Sequence, residues 1–230
     1  MKTKLTFLLS LTFLFLFSGS VYGDDFQDGV DAVDRGDYKT AYKLWLPLAE
    51  QGDALAQFNL GFMYRNGQGV PQDYKEAVKW YRLSAEQGIA EAQFNLGFMY
   101  SEGQGVPQDY KEAIKWYRLS AEQGDAQAQY NLGLMYGKGQ GVPQDYKEAV
   151  RLYRLSAEQG HAKAQYNLGV RYYNGQGIPQ DYVLAHMWWS ISGSNGIKGA
   201  VKNRNIVEKK MSKQQIEEAQ RLARNWKPKK

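Results

Sequence analysis

The stretch ALAQFNLGFMYRNGQGVPQDYKEAVKWYRLSAEQG, Ala54–Gly88, decides how the chain is to be read. Its first part, about Ala54–Tyr64, places Ala56, Leu60, Met63 and Tyr64 on one stripe at helical spacing. Asn66-Gly67-Gln68-Gly69 breaks that helix, because glycine reaches the positive-φ states in which helices end. Pro71 holds Val70 extended and lacks an amide to donate, so it can lead into a second helix but not sit inside one. Asp73 stands where an N-cap is needed, with Glu76 three residues later as in a capping box. The second helix turns Ala77, Trp80, Tyr81, Ser84 and Ala85 toward neighbours, while Lys79 and Arg82 can reach Glu76 and Glu86 on its wet side. Gly88 ends it.

The same text returns. Ala54, Ala90, Ala126 and Ala162 open four units spaced 36 residues apart. QDYKEAVKWYRLSAEQG recurs at Gln108–Gly124 with Ile114 for Val78, and at Gln144–Gly160 with Arg151 and Leu152 where the others carry Lys-Trp. The caps recur as Asp109/Glu112 and Asp145/Glu148, whereas Asp181 has Leu184 in the partner position. A fixed period of this size, with helical patterning and no strand-like alternation, predicts an all-α solenoid of stacked helix pairs. Gly61, Gly97, Gly133 and Gly169 sit mid-helix, where glycine costs about 1 kcal/mol relative to alanine. Their repetition implies close backbone approach, expected against the Ala77-type positions of the second helix.

The pattern AxAQxNLGxMYxxGxGVPQDYxxAxxWYxxxAxxG resembles the Sel1-like repeat, a relative of the tetratricopeptide repeat with a longer loop in each unit. The resemblance covers Ala54–Asn195 and implies a right-handed α/α superhelical solenoid. Four repeats then occupy residues 54–197. Residues 24–53 read as a tetratricopeptide-like helical pair without the Gly-rich loop, since Asp37, Tyr38 and Ala41 lie 36 residues before Asp73, Tyr74 and Ala77. Residues 198–230 resemble the closing segment of bacterial Sel1 proteins and form the basic capping helices. There Ser212 and Gln215 have capping-box spacing, and Ile216, Ala219, Leu222, Ala223 and Trp226 make one apolar stripe. Trp188 and Trp189 are its expected footing.

Residues 1–23 carry Lys2 and Lys4, an apolar run over Leu5–Phe17, and small residues before Asp24. That is the pattern of a secretory signal peptide, too short for a membrane anchor, with cleavage expected after Gly23. No lipobox cysteine follows. The expectation is a periplasmic or secreted monomer with no stable membrane insertion. The absence of Cys removes disulfides, thiol nucleophiles and thiolate metal sites. Residues 24–197 carry 16 Lys and Arg against 21 Asp and Glu, whereas residues 198–230 carry 11 against 3. A basic tail can bind nucleic acid or an anionic surface such as a cell wall. In an exported protein it reads more simply as a solvated helix with a frayed Lys-rich end, and no nucleic-acid partner is expected.

Chemistry is sparse. His161 and His186 are the only histidines, neither has metal-ligand spacing, and His161 reads as exposed and incidental. The loop G-x-G lacks the further glycine and preceding strand of a dinucleotide site, and no G-x-S-x-G occurs. A cysteine-rich branch of the resembled family is associated with β-lactam binding and β-lactamase activity. This chain lacks Cys, the S-x-x-K and K-T-G motifs and zinc-site histidines. The expectation is a non-enzyme without cofactor or metal.

The resemblance implies a protein or peptide partner on the concave face lined by the first helix of each repeat. In tetratricopeptide relatives the exposed stripe of this helix holds peptides. Carried over, the stripe comprises Phe58, Asn59, Phe62 and Arg65, then Phe94, Asn95 and Phe98. It continues with Tyr130 and Asn131, and ends with Tyr166, Asn167 and Tyr173. The asparagines could bond a peptide backbone in both directions, and the aromatics could supply apolar contact. The same residues admit a second role, with Asn tying adjacent repeats and Phe or Tyr filling the inter-repeat core. Roles in bacterial complex assembly, envelope signalling or host-cell contact are implied by the resemblance alone.

Overall fold

The computed structural model describes residues 25–229, so the expected signal peptide lies outside them. Among these residues there are twelve helices and no strand. Helix α1 covers residues 25–34, followed by α2 (Tyr38–Glu50), α3 (Ala54–Asn66), α4 (Tyr74–Glu86) and α5 (Ala90–Glu102). Next come α6 (Tyr110–Glu122), α7 (Ala126–Lys138), α8 (Tyr146–Glu158), α9 (Ala162–Asn174) and α10 (Tyr182–Ser194). Helices α11 (Lys198–Glu208) and α12 (Lys213–Asn225) close the chain. They form two compact units, one through Gln108 and one from Asp109. Within each unit, successive helices pack as antiparallel neighbours of a Sel1-type, tetratricopeptide-like helical solenoid.

Local chemistry explains the helix ends. Gly67 takes φ +68° and ψ +34°, and its amide donates to the Met63 carbonyl, an αL cap that runs the helix two residues past Tyr64. Asp73 accepts from the amides of Lys75 at 2.8 Å and Glu76 at 3.1 Å. The reciprocal half of the expected box does not form there. Glu76 instead holds Lys79 at 3.2 Å, and Glu148 takes Arg151 through two bonds of 2.8 and 2.6 Å. The cap amide is already taken: the Asp73 N–H donates to the Tyr64 carbonyl and the Asp145 N–H to the Tyr136 carbonyl, both at 2.9 Å. At Ser212 the cap amide instead donates to Gln215 Oε1 at 2.8 Å, and the box closes in both directions. Arg82, expected to face Glu86, instead donates to the Tyr100 hydroxyl. Arg118 with Tyr136 and Arg154 with Tyr172, each at 3.1 Å, repeat that link.

Side-chain size sets the packing. Ala56, Leu60 and Met63 are buried against the second helices in the first unit, as are Ala128, Leu132 and Met135 in the second. The mid-helix glycines face rings rather than the alanines expected from the sequence. A Cβ on Gly61 would stand 2.6 Å from Tyr81, one on Gly133 2.8 Å from Tyr153, and one on Gly169 2.6 Å from Trp189. Each ring lies one turn beyond its small Ala77-type residue, so the alanine admits the helix and the ring then crosses the glycine. Burial pushes the Tyr81 and Tyr153 hydroxyls up to about 12, against the pull of Arg65 and Arg171 respectively. The long loop also turns back: a Cβ on Gly69 would stand 2.5 Å from the Tyr38 carbonyl oxygen, and one on Gly141 2.7 Å from Tyr110.

The C-terminal helices finish the second unit. His186 is only 1% exposed, and its Nε2 meets Glu208 Oε1 at 2.7 Å, tying α10 to α11. Ser190 Oγ approaches the other ring nitrogen at 3.3 Å, one turn along the same helix. A serine, histidine and carboxylate in this order would need an open imidazole to relay protons, and this one is sealed inside the cap. Trp226 meets Trp188 edge-on with centroids 5.9 Å apart, whereas Trp189 turns inward and donates to the Tyr166 carbonyl at 3.1 Å. The tail is not a loose basic end. The Lys229 amide donates to the Glu158 carbonyl, and its ammonium pairs with the Glu158 carboxylate, both at 2.7 Å.

The ring contacts predict that Gly133→Ala lowers stability by about 1–3 kcal/mol through overpacking. Gly199→Ala is the control, because its Cβ would meet Tyr166 at an ordinary 3.6 Å. Thermal unfolding should show a clear loss for the first and little change for the second. Equal stabilities would mean that the Tyr153 ring yields.

Candidate functional site

The stripe expected to bind a partner resolves into separate clusters. In the first unit, Leu55 is 49% and Phe62 44% exposed. Phe58, Asn59 and Phe62 share an apolar cleft of about 240 Å³ with Val33, Trp45 and Met63. Phe58 also leans on the Tyr81 ring at 5.9 Å, so one of its faces serves the core. Further along, Arg65 donates to Asn95 Oδ1 at 2.7 Å, while Asn95 Nδ2 donates to the Glu91 carbonyl at 2.7 Å. The Arg65 guanidinium lies 4.8 Å over the Phe98 ring. Both ends of the Asn95 amide are therefore engaged within the protein. Phe94 beside it is half-buried.

In the second unit the row is drawn further inward. Tyr130 sits 6.2 Å from the Tyr153 ring and 4.7 Å from the His161 ring, and burial pushes its hydroxyl pKa up. The nearby Asn167 amide opposes that shift, at Tyr130 as at Tyr153. Asn131 is half-buried. Tyr166 accepts from Asn203 at 3.2 Å, and Tyr173 accepts from Lys210 at 2.6 Å. These two tyrosines line a cleft of about 320 Å³ with Val170, Trp189 and Ile206. Helix α11 thus lies beside the last row as a further first helix would.

The amides that most clearly join repeats are glutamines that the sequence reading passed over. Gln57 donates to the Ala49 carbonyl at 3.0 Å and Gln93 to the Ala85 carbonyl at 3.1 Å. Gln129 donates to the Ala121 carbonyl at 3.2 Å and Gln165 to the Ala157 carbonyl at 3.1 Å. Their side-chain oxygens are used too: Gln87 donates to Gln57 at 2.8 Å, Gln159 to Gln129 at 2.9 Å, and Asn195 to Gln165 at 3.1 Å. Each gives a second donor to a carbonyl at the preceding helix end, which already accepts from the amide of the glycine after that helix, and so buries its own amide without loss. The available signal was a polar residue repeated unchanged beside the Leu60 stripe.

Residues 22–53, 54–89, 90–125, 126–161 and 162–197 each match the Sel1 repeat. The chain belongs to the Sel1 repeat family. A Sel1 repeat protein from Oxalobacter formigenes is 34% identical over 76% of this chain and 72% of that one, with a TM-score of 0.72. A protective antigen present in uropathogenic Escherichia coli strains, with an SLR fold, is also 34% identical. That match spans 83% of this chain but 49% of the antigen, at a TM-score of 0.54. A putative Sel1 repeat protein from Klebsiella pneumoniae, 24% identical over 81% of this chain and 93% of that one, shares the fold at a TM-score of 0.51. No curated protein matched the chain.

Sel1 repeats mediate protein–protein contacts, and proteins built from them generally act as interaction scaffolds. Their fold is typically a non-catalytic one. Among the described residues no group of His, Asp and Glu could hold a metal ion, and no helix is long and apolar enough to cross a membrane.

His161 departs from the expected exposed position. It caps α9, its Nδ1 accepting from the Ala164 amide at 3.2 Å, where Asp53 and Asp125 cap the equivalent helices. Burial holds its pKa below the usual histidine range, helped by Lys163 and opposed by Asp125. An accepting Nδ1 cannot carry a proton, so the folded state favours the neutral ring. With the folded pKa depressed, the unfolded chain takes up the proton more readily as pH falls through about 6.5, and stability is lost below that point. An aspartate cap stays charged in this range. The melting temperature of the parent should therefore fall more steeply between pH 7 and 5, as a rough window for histidine titration, than that of His161→Asp. Parallel curves would show that this cap does not titrate on unfolding.

Proposed function

We propose that this Sel1 repeat protein is an exported, non-catalytic adaptor that binds a protein segment along the face lined by its first helices. Its principal contact is at Phe58, Asn59 and Phe62. The observation that carries this reading is the apolar cleft of the first unit, where exposed Phe62 stands beside the half-buried Asn59 amide, with exposed Leu55 one turn earlier on the same helix. Exposed large apolar side chains beside a polar group fit an anchor side chain with its neighbouring peptide bond. The engagement of Asn95 within the protein sets it aside from recognition, and Asn59 is the amide that lines the cleft. Tyr166 and Tyr173 form a second contact in the other unit. Export to the periplasm or beyond rests on the pattern of residues 1–23, and an envelope role follows from it.

The competing reading is an anionic-surface binder acting through the basic tail. Lys210 lies on the Tyr173 ring and Lys229 on Glu158, which leaves less of that tail as a free cationic arm. Crosslinking in the export compartment would identify the partner. The affinity of that partner for Phe62→Ala combined with Asn59→Ala should be about ten-fold weaker or worse, since one hydrogen bond and one buried ring each contribute on the order of 1 kcal/mol. Lys209→Glu with Lys213→Glu should bind nearly as the parent does. The reverse outcome, with circular dichroism showing both variants folded, would replace the groove by the surface-binder reading. Mass spectrometry of the exported protein should find an unlipidated N-terminus at Asp24 or within a residue or two, and retention of residues 1–23 would remove the export claim.

A further inference from the structure

Past α12 the chain leaves helical geometry at Trp226, with φ −70° and ψ 139°, and continues without helix through residue 229. It lies on the second helices α8 and α10 as a bound peptide would. The Trp226 ring stands edge-on to Trp188. Pro228 comes over Gly160, 3.7 Å from where a Cβ would be. The Lys229 amide and ammonium engage the carbonyl and carboxylate of Glu158. With α12 and this strap in place, Ile191 of α10 is only 5% exposed.

The repeat makes the neighbouring position comparable residue by residue. One period of 36 earlier, Glu158 becomes Glu122, Gly160 becomes Gly124, Trp188 becomes Leu152 and Ile191 becomes Leu155. These four residues line an open groove of about 380 Å³ between α6 and α8, with Arg118 and Arg151 at its rim. Leu155 is 38% exposed, in contrast to its covered counterpart. The unusual third copy bears directly on this groove. Leu152 replaces the tryptophan of the other three copies, removing an indole from its floor.

We propose that the α6–α8 groove is a second docking site, for an extended segment of a partner protein with an aromatic residue two places before proline and lysine directly after it. The chain's own Trp226–Lys229 strap is the template for that ligand. The aromatic ring covers Leu155, above the buried Leu152. The proline passes over Gly124, where nothing lies within 4 Å of an added Cβ, and the lysine meets Glu122. Arg151 is held by Glu148, so the positive rim is partly neutralised and Glu122 sets the charge preference. A proline-containing extended segment loses little conformational entropy on docking, which suits a shallow groove. This surface belongs to the second helices and does not rest on the first-helix reading above.

The test uses the intact mature protein and a synthetic peptide of sequence LARNWKPKK, residues 222–230, titrated to about 1 mM because an untethered strap loses the effective concentration that helps it intramolecularly. Nuclear magnetic resonance should show saturable shifts centred on Glu122, Gly124 and Leu155. Leu155→Asp and Glu122→Lys should each weaken the peptide at least about five-fold, as should replacing its tryptophan by alanine, while Glu158→Lys should not. Both protein positions are exposed, so if one variant loses helicity the other decides the result. Absence of saturable binding, indifference to the variants at Leu155 and Glu122, or loss on Glu158→Lys alone would overturn the proposal. The last outcome would mean that the peptide merely exchanges with the protein's own strap.

Discussion

Where Tyr81 crosses Gly61 and Tyr153 crosses Gly133, ring carbons come closer to the helix than any side chain on it would permit. The separation of the two helices is thereby set by the thickness of a ring rather than by interlocking side chains. At that separation, the remaining cross-links come within reach. Ser84 Oγ meets the Ala54 carbonyl at 2.7 Å, Ser156 meets that of Ala126 at 2.6 Å, and Ser192 meets that of Ala162 at 2.8 Å. A longer interhelical distance would leave these hydroxyls buried and unpaired, at a cost of about 1–3 kcal/mol each. Gly169 beneath Trp189 and Gly29 beneath Trp45 extend the device with an indole, whose N–H reaches a carbonyl that a phenol could not serve in the same way.

Much of the architecture was legible because local chemistry decides it. The αL glycine after Asn66, the aspartates before each second helix and the 36-residue spacing all act within a few residues of one another or repeat without change. What required the structure were contacts between distant positions. The Asp145 amide, expected to receive Glu148, donates to the Tyr136 carbonyl across the loop, and Glu148 holds Arg151 instead. Trp188 and Trp189 are adjacent in sequence, yet one receives the terminal helix and the other turns into the repeat.

The site was less legible than the fold for a related reason. Gln57 and Asn59 both recur beside the Leu60 stripe, and both amides suit a ladder. On a helix with about 100° per residue, Gln57 lies about 60° from Leu60 and Asn59 about 100° from it, so the glutamine belongs to the buried side. That wheel argument separates the two, but it cannot show that Arg65 reaches Asn95 across 30 residues. Formal charge was equally silent about Lys229, whose partner Glu158 lies 71 residues earlier. The outcome on the first-helix face is a division of labour, in which amides and rings that look alike in the repeat serve either cohesion or an open cleft.

The loop glycines carry a consequence for how such a chain can change length. Gly69 rests on the start of α2, Gly105 on that of α4, Gly141 on that of α6 and Gly177 on that of α8, so each unit gauges its position against the one before it. Helix α11 repeats the relation at the end, with Asn203 and Lys210 each reaching a tyrosine 37 residues earlier. An insertion of a whole unit reproduces every one of these contacts by translation. An insertion of half a unit would break loop, glutamine and serine contacts together. Length is therefore a stepwise variable for this protein, changing by duplication or deletion of entire repeats as long as the last one keeps Tyr173, His186 and Trp188 for the terminal helices.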